Sequence, residues 1–104
     1  MSAATPRNAR EHPRVDAGFP MSVELGGRSL EVRARNLSMA GVLVDGDLPL
    51  PRFVRVRIPL PGAARAVQPT CEVERRDGRG IALSFAAIDW EDLLLVARYL
   101  SPRL

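Results

Sequence analysis

The sequence predicts a mainly β domain: six short antiparallel strands closed into a small barrel, followed by one C-terminal α-helix. Three features point there. Short runs alternate between apolar and polar residues, Gly and Pro separate them at fairly regular spacing, and only the last segment switches to helical spacing. With 104 residues there is room for one domain. A chain of that size buries only about two-thirds of the surface it exposes when unfolded, so it can build one modest core.

Each element can be read in turn. Residues 1–9 are small or polar, carry Pro6 and show no periodicity, which predicts a flexible tail. A loop is expected over residues 10–18, the barrel over 19–88 and the helix over 89–101. Phe19 to Leu25 alternates, and Gly26-Gly27 is a two-residue hairpin signal. Ser29 to Arg35 follows, with Leu30, Val32 and Ala34 on one face and Glu31, Arg33 and Arg35 on the other. Gly41 to Val44 is a short apolar strand ending at the turn dipeptide Asp45-Gly46. Phe53 to Leu60 turns Val54, Val56 and Ile58 inward and Arg55 and Arg57 outward, until Pro59 and Pro61 stop it. Thr70 to Glu74 runs towards a turn at Asp77-Gly78, and Gly80 to Phe85 returns with Ile81, Leu83 and Phe85 on one face. For the helix, Asp89 is a good N-cap and Glu91 and Asp92 suit the first turn. Leu93, Leu94, Ala97 and Leu100 form its expected apolar stripe, Pro102 ends it, and it is expected to cap an open end of the barrel.

Composition narrows the function classes. At 46% hydrophobic and 26% charged the chain is ordinary for a soluble domain. No apolar run approaches the ~20 residues of a membrane helix, and the N-terminus has no apolar stretch behind its charges, so neither a membrane span nor a secretory signal is expected. A single cysteine, Cys71, excludes a disulfide framework and a cysteine-only zinc site, and a single histidine, His12, excludes any site needing two. The expected compartment is the cytoplasm, with no metal and no cofactor. Basic charge comes from 15 arginines and no lysine, for a net charge of +3. Arginine presents a flat fork of donors suited to phosphates and guanine edges, so an anionic, planar partner is favoured.

Nothing in the chain reads as catalytic. His12 is followed by Pro13 in a polar segment without a nucleophile and reads as solvent-exposed, while Cys71 reads as a core residue beside Val73. Trp90 and Tyr99 read as packing groups of the helix. Asp45 and Asp47 are too few for a calcium loop. Two clusters stand above this background. The first is Arg10-Glu-His-Pro-Arg14, with Arg7 just upstream; the second is Asn36-Leu-Ser-Met-Ala-Gly41, between the second and third strands. An arginine pair at i,i+4 is expected by chance in so arginine-rich a chain. The pattern Asn/Asp-x-Ser-x-x-Gly is not: 8 × 6/104 × 8/104 gives roughly 0.04 matches. Asn36 offers a donor and an acceptor, Ser38 adds a hydroxyl, and Gly41 allows a ligand to approach the backbone closely. Two guanidiniums can pair with phosphates and fork onto the O6/N7 edge of guanine, or stack on a purine. The plainer reading is a polar turn, with Ser38 bonding local backbone, beside a solvated charged tail.

The order of these motifs resembles the PilZ domain family. Its N-terminal RxxxR is matched by Arg10 and Arg14 and its [D/N]xSxxG by Asn36, Ser38 and Gly41, while Gly80 to Phe85 is similar to its late strand. The resemblance covers about residues 7–101 and implies a six-stranded barrel that binds the bacterial second messenger cyclic di-GMP. On that resemblance Arg10 and Arg14 hold guanine and phosphate, and Asn36, Ser38 and Gly41 contact the other guanine from the barrel surface; Arg7 and Arg35 are secondary candidates. The implied protein is not an enzyme but a cytoplasmic receptor. Its residues 1–18 are expected to be mobile until the ligand orders them, and the signal then passes to an unidentified downstream protein. No DNA, RNA or membrane partner is expected, and the chain is expected to be a monomer or weak dimer. The alternative is a protein-interaction module that ignores nucleotide and uses the helix or the Arg33, Arg35, Arg55 and Arg57 faces. Binding of nucleic acid through basic strands is disfavoured by an aromatic content of only 5%.

Overall fold

A computed structural model describes residues 12–78 and 80–104. Six strands form a closed, wholly antiparallel barrel in the order β1-β2-β3-β6-β5-β4. They are β1 (Val15–Leu25), β2 (Arg28–Leu37), β3 (Gly41–Asp45), β4 (Phe53–Arg57), β5 (Thr70–Asp77) and β6 (Gly80–Ala87). Helix α1 (Trp90–Leu100) and a 3-10 turn (Ser101–Arg103) complete the chain. Gly26 and Gly27 both adopt left-handed φ, 60° and 78°, as a type I′ hairpin turn requires, and Leu25 pairs with Arg28 across it. The barrel closes through a short β1–β4 contact, Ser22 with Arg57 and Val23 with Val56.

The alternation reads through into the core. Val23, Ala34, Val44, Ile58, Cys71 and Ile81 are wholly buried, as is Val67, which bridges to Ile58 just beyond β4. Several boundaries differ from the sequence expectation. β1 begins at Val15, not Phe19, because a bulge between Asp16 and Phe19 keeps the earlier residues paired with Asn36 and Leu37. Val15 is consequently buried, and residues 15–18 of the expected 10–18 loop belong to β1. β2 runs on to Leu37, β5 to Asp77 and β6 to Ala87, whereas β4 stops at Arg57. Arg7 and Arg10, like the tail over 1–9, lie outside the described residues.

At each end of the β3–β6 ladder one position has no room for a side chain. A Cβ on Gly41 would fall 2.0 Å from the Leu83 carbonyl oxygen, and one on Gly80 would fall 2.4 Å from that of Val44. The two glycines bound the ladder at its ends, Gly41 opposite Ser84 and Gly80 opposite Asp45.

The helix docks rotated from its expected stripe: Leu100 is buried and Leu93 and Ala97 are half-buried, but Leu94 is exposed. Val96, Tyr99 and Leu100 join the barrel core, with the Tyr99 ring edge-on to Phe19 at 5.8 Å between centroids. Leu94 and Trp90 are exposed, so Trp90 is not a packing group. Asp92 explains the rotation. Its side chain is 6% exposed, pairs with the Arg65 guanidinium and accepts a 3.0 Å hydrogen bond from the Gln68 backbone N–H. That clamp turns the 92/96/99 side of the helix inward. Asp89 stands at the N-cap in extended conformation but makes no side-chain capping bond, and Pro102 lies within the 3-10 turn. His12 is half-buried rather than fully exposed.

Two outcomes are expected from this packing. Asp92→Ala removes a buried acceptor, leaves the Gln68 N–H unpaired and leaves Arg65 with only the Ala66 carbonyl and Glu91 at 3.9 Å, which costs about 2–4 kcal/mol; urea unfolding measures it, and a loss under about 0.5 kcal/mol contradicts the clamp. Burial pushes the Cys71 thiol up from 9.0 to about 12. The folded protein therefore holds this proton more tightly than the unfolded chain. The stability so contributed is complete below pH 9 and is lost as pH rises from about 9 to about 12. Unfolding free energies at about pH 8 and about pH 10.5 should show wild type losing stability relative to Cys71→Ala across that interval.

Candidate functional site

A cleft of about 380 Å³ lies where the β2–β3 turn meets the outer face of β3, β6 and β5. Arg14, Asn36, Ser38 and Gly41 all line it. Four of the five main sequence candidates are thus brought together from two separate segments, and the fifth, Arg10, lies outside the described residues.

A bulge aims Asn36. Strict alternation after Leu30, Val32 and Ala34 would bury position 36. Instead β2 slips by one residue between Ala34, opposite Val44, and Asn36, opposite Leu43. Leu37 takes the fully buried position and Asn36 is left half-buried in the wall of the cleft. Its side-chain amide has no hydrogen-bond partner among the described residues. Arg14, one residue before β1, is exposed and its guanidinium is likewise unpaired among the described residues.

Ser38 and Gly41 do structural work that the sequence left as the plainer reading. The Ser38 hydroxyl accepts a 3.0 Å bond from the Ala40 N–H, and the Ser38 N–H donates to the Gly41 carbonyl at 2.9 Å. Ser38 is 5% exposed, so it shapes the turn more than it faces solvent. Gly41 lines the cleft, and its missing side chain also lets strand β6 approach closely. Arg35 does not line the cleft; its guanidinium lies 3.2 Å from Asp45.

Sequence reasoning missed the opposite wall. Glu74 and Arg75 of β5 and Ser84 of β6 line it. A second bulge, between Val73 opposite Leu83 and Arg75 opposite Ala82, lets Glu74 and Arg75 both stand on the outer surface. The Ser84 hydroxyl donates to a Glu74 carboxylate oxygen at 2.7 Å, holding that side chain in place. Period-two patterning carries no sign of this bulge, so no signal in the sequence would have found the wall. Two guanidiniums, Arg14 and Arg75, face one carboxylate, Glu74, among the described cleft residues. The cleft therefore combines a positive field with separate neutral and anionic hydrogen-bonding groups, a set that suits an anion carrying a polar planar ring.

Known proteins agree with this fold. The profile of the PilZ domain family matches residues 8–101. The structure is similar to that of the Bacillus subtilis inhibitor of motility MotI/DgrA, with a TM-score of 0.76 and 21% identity over 90% of this chain and 50% of that one. It is also similar to Borreliella burgdorferi PlzA in complex with c-di-GMP, with a TM-score of 0.68 and 14% identity over 93% of this chain and 43% of that one. An uncharacterised Legionella protein matches with a TM-score of 0.57 and 17% identity, over 88% of this chain and 97% of that one. The chain therefore spans about half the length of MotI and less of PlzA. No curated protein matches it. With the family profile extending over nearly its whole length, the chain belongs to the PilZ domain family.

Proposed function

We propose that the cleft binds cyclic di-GMP and that the chain is a receptor for it, not an enzyme. The observation that carries the reading is the convergence of Arg14 with Asn36 and the Ser38–Gly41 turn on one cleft. Its volume of about 380 Å³ falls in the range of small-molecule sites. PlzA, a structural neighbour, is a protein in complex with c-di-GMP. In this reading Arg14 pairs with phosphate or the guanine O6/N7 edge, and Asn36 bonds the base. Arg10 lies four residues upstream of Arg14, so its Cα is at most about 14 Å away, within reach of the same ligand. Closing the segment that holds both arginines over the nucleotide changes the exposed surface, which a downstream protein then reads.

The roles within the motif separate by experiment. Calorimetric titration with cyclic di-GMP should show Arg14→Ala weakening binding about 30- to 1000-fold, from the loss of a charged bidentate contact. Asn36→Ala should weaken it about tenfold with the melting temperature unchanged. Gly41→Ala should instead lower stability by about 2 kcal/mol or more, because its Cβ has no room against Leu83. No binding by wild type, or less than about threefold weakening by Arg14→Ala, contradicts the reading. A wild type that binds protein partners equally with and without nucleotide would then be an interaction module.

Glu74 supplies a second test. A carboxylate fixed by Ser84 matches the adjacent N1–H and N2–H donors of guanine, which adenine lacks. Glu74→Gln should lower affinity for cyclic di-GMP about tenfold and narrow its preference over cyclic di-AMP. Tighter binding by Glu74→Gln would show that the carboxylate only repels the phosphates.

A further inference from the structure

The outward face of α1 carries a pattern that matches itself in reverse. Trp90, Glu91, Leu94 and Arg98 stand on one side of the helix, opposite the buried Asp92, Val96 and Tyr99. Trp90 is 70% exposed, Leu94 is 38% exposed and the Glu91 side chain is 84% exposed. Glu91 reaches Arg65 only at 3.9 Å, and Arg98 has no ion-pair partner among the described residues. Ala97, beside this face, is small and half-buried.

A two-fold axis crossing the helix near Leu94 pairs two copies antiparallel. Reversal about that point sets Leu94 against its equivalent, Glu91 against Arg98 of the second copy, and the Trp90 ring over Ala97 and the adjacent guanidinium. Every exposed group on the face then has a counterpart: an apolar centre, two symmetric ion pairs, and an indole with both a small residue and a cation to cover. A heterologous partner would have to supply this arrangement from another sequence, whereas a second copy already has it.

We propose that α1 is a self-association surface, through which two copies of this chain form an antiparallel helix-to-helix dimer by way of Trp90, Glu91, Leu94 and Arg98. The proposal is independent of the cleft and of its ligand. A face of one three-turn helix is small, so the dimer is weak and forms in the upper micromolar range.

Sedimentation equilibrium of the whole chain from about 10 to about 500 µM tests it. Wild type should rise with concentration from 11.4 kDa towards twice that mass. Trp90→Ala should weaken association at least tenfold, or roughly the loss of one interface anchor. Arg98→Glu leaves only acids on the face and Glu91→Arg only bases, so each should stay monomeric alone. Their equimolar mixture should associate again, because each pair then joins opposite charges. Melting curves confirm that every variant is folded. A wild type monomeric at about 500 µM, charge variants that associate as wild type does, or a mixture that stays monomeric would each overturn the proposal.

Discussion

Two backbones touch where β3 meets β6, and much of the molecule is arranged around that contact. The Leu83 carbonyl occupies the space a Cβ on Gly41 would need. The Gly41 carbonyl in turn receives the Ser38 N–H, and the Ala40 carbonyl receives the Phe85 N–H. The β2–β3 turn is thereby closed on itself and tied to β6 through Ala40 at the floor of the cleft. A larger residue at position 41 would separate β3 from β6 in a closed barrel, where neither strand can move without its other neighbour. The glycine that reads as a ligand-approach residue in the sequence thus also lets β3 pair closely with β6.

Bulges decide which side chains reach the cleft. Regular strands alternate, so a six-stranded barrel can present only every second residue outward. Two interruptions change that here. One turns Asn36 out and Leu37 in, and the other lets Glu74 and Arg75 share the outer face. Both lie beside the cleft, where irregular pairing places polar groups that regular pairing would separate or bury.

The fold was largely legible because its signals are local. Alternation in β2, β4 and β6 and the Gly26-Gly27 hairpin each depend on neighbours a few residues apart. What was not legible depends on distant partners. Asp16-Ala17-Gly18 looks like loop until β2 is available to pair with it. The leucines of the helix suggest a face through Leu94, but Asp92 is drawn inward by Arg65 and Gln68, far back in the chain. Half of the candidate site was legible for a chemical reason: Asn36, Ser38 and Gly41 fall at a spacing that chance seldom produces. Glu74, Arg75 and Ser84 carry no such spacing and meet only through β5–β6 pairing.

In the proposed receptor one cleft, bounded by the β2–β3 turn and the β5–β6 wall, receives the nucleotide. Amide chemical shifts of the nitrogen-15-labelled chain, followed as cyclic di-GMP is added, test it most directly. Binding there should shift the amides of Arg14, Asn36, Ser38, Ala40, Glu74 and Ser84 and leave those of α1 little changed. Shifts centred on the helix or on the β1–β4 side, or none at saturating nucleotide, would contradict it.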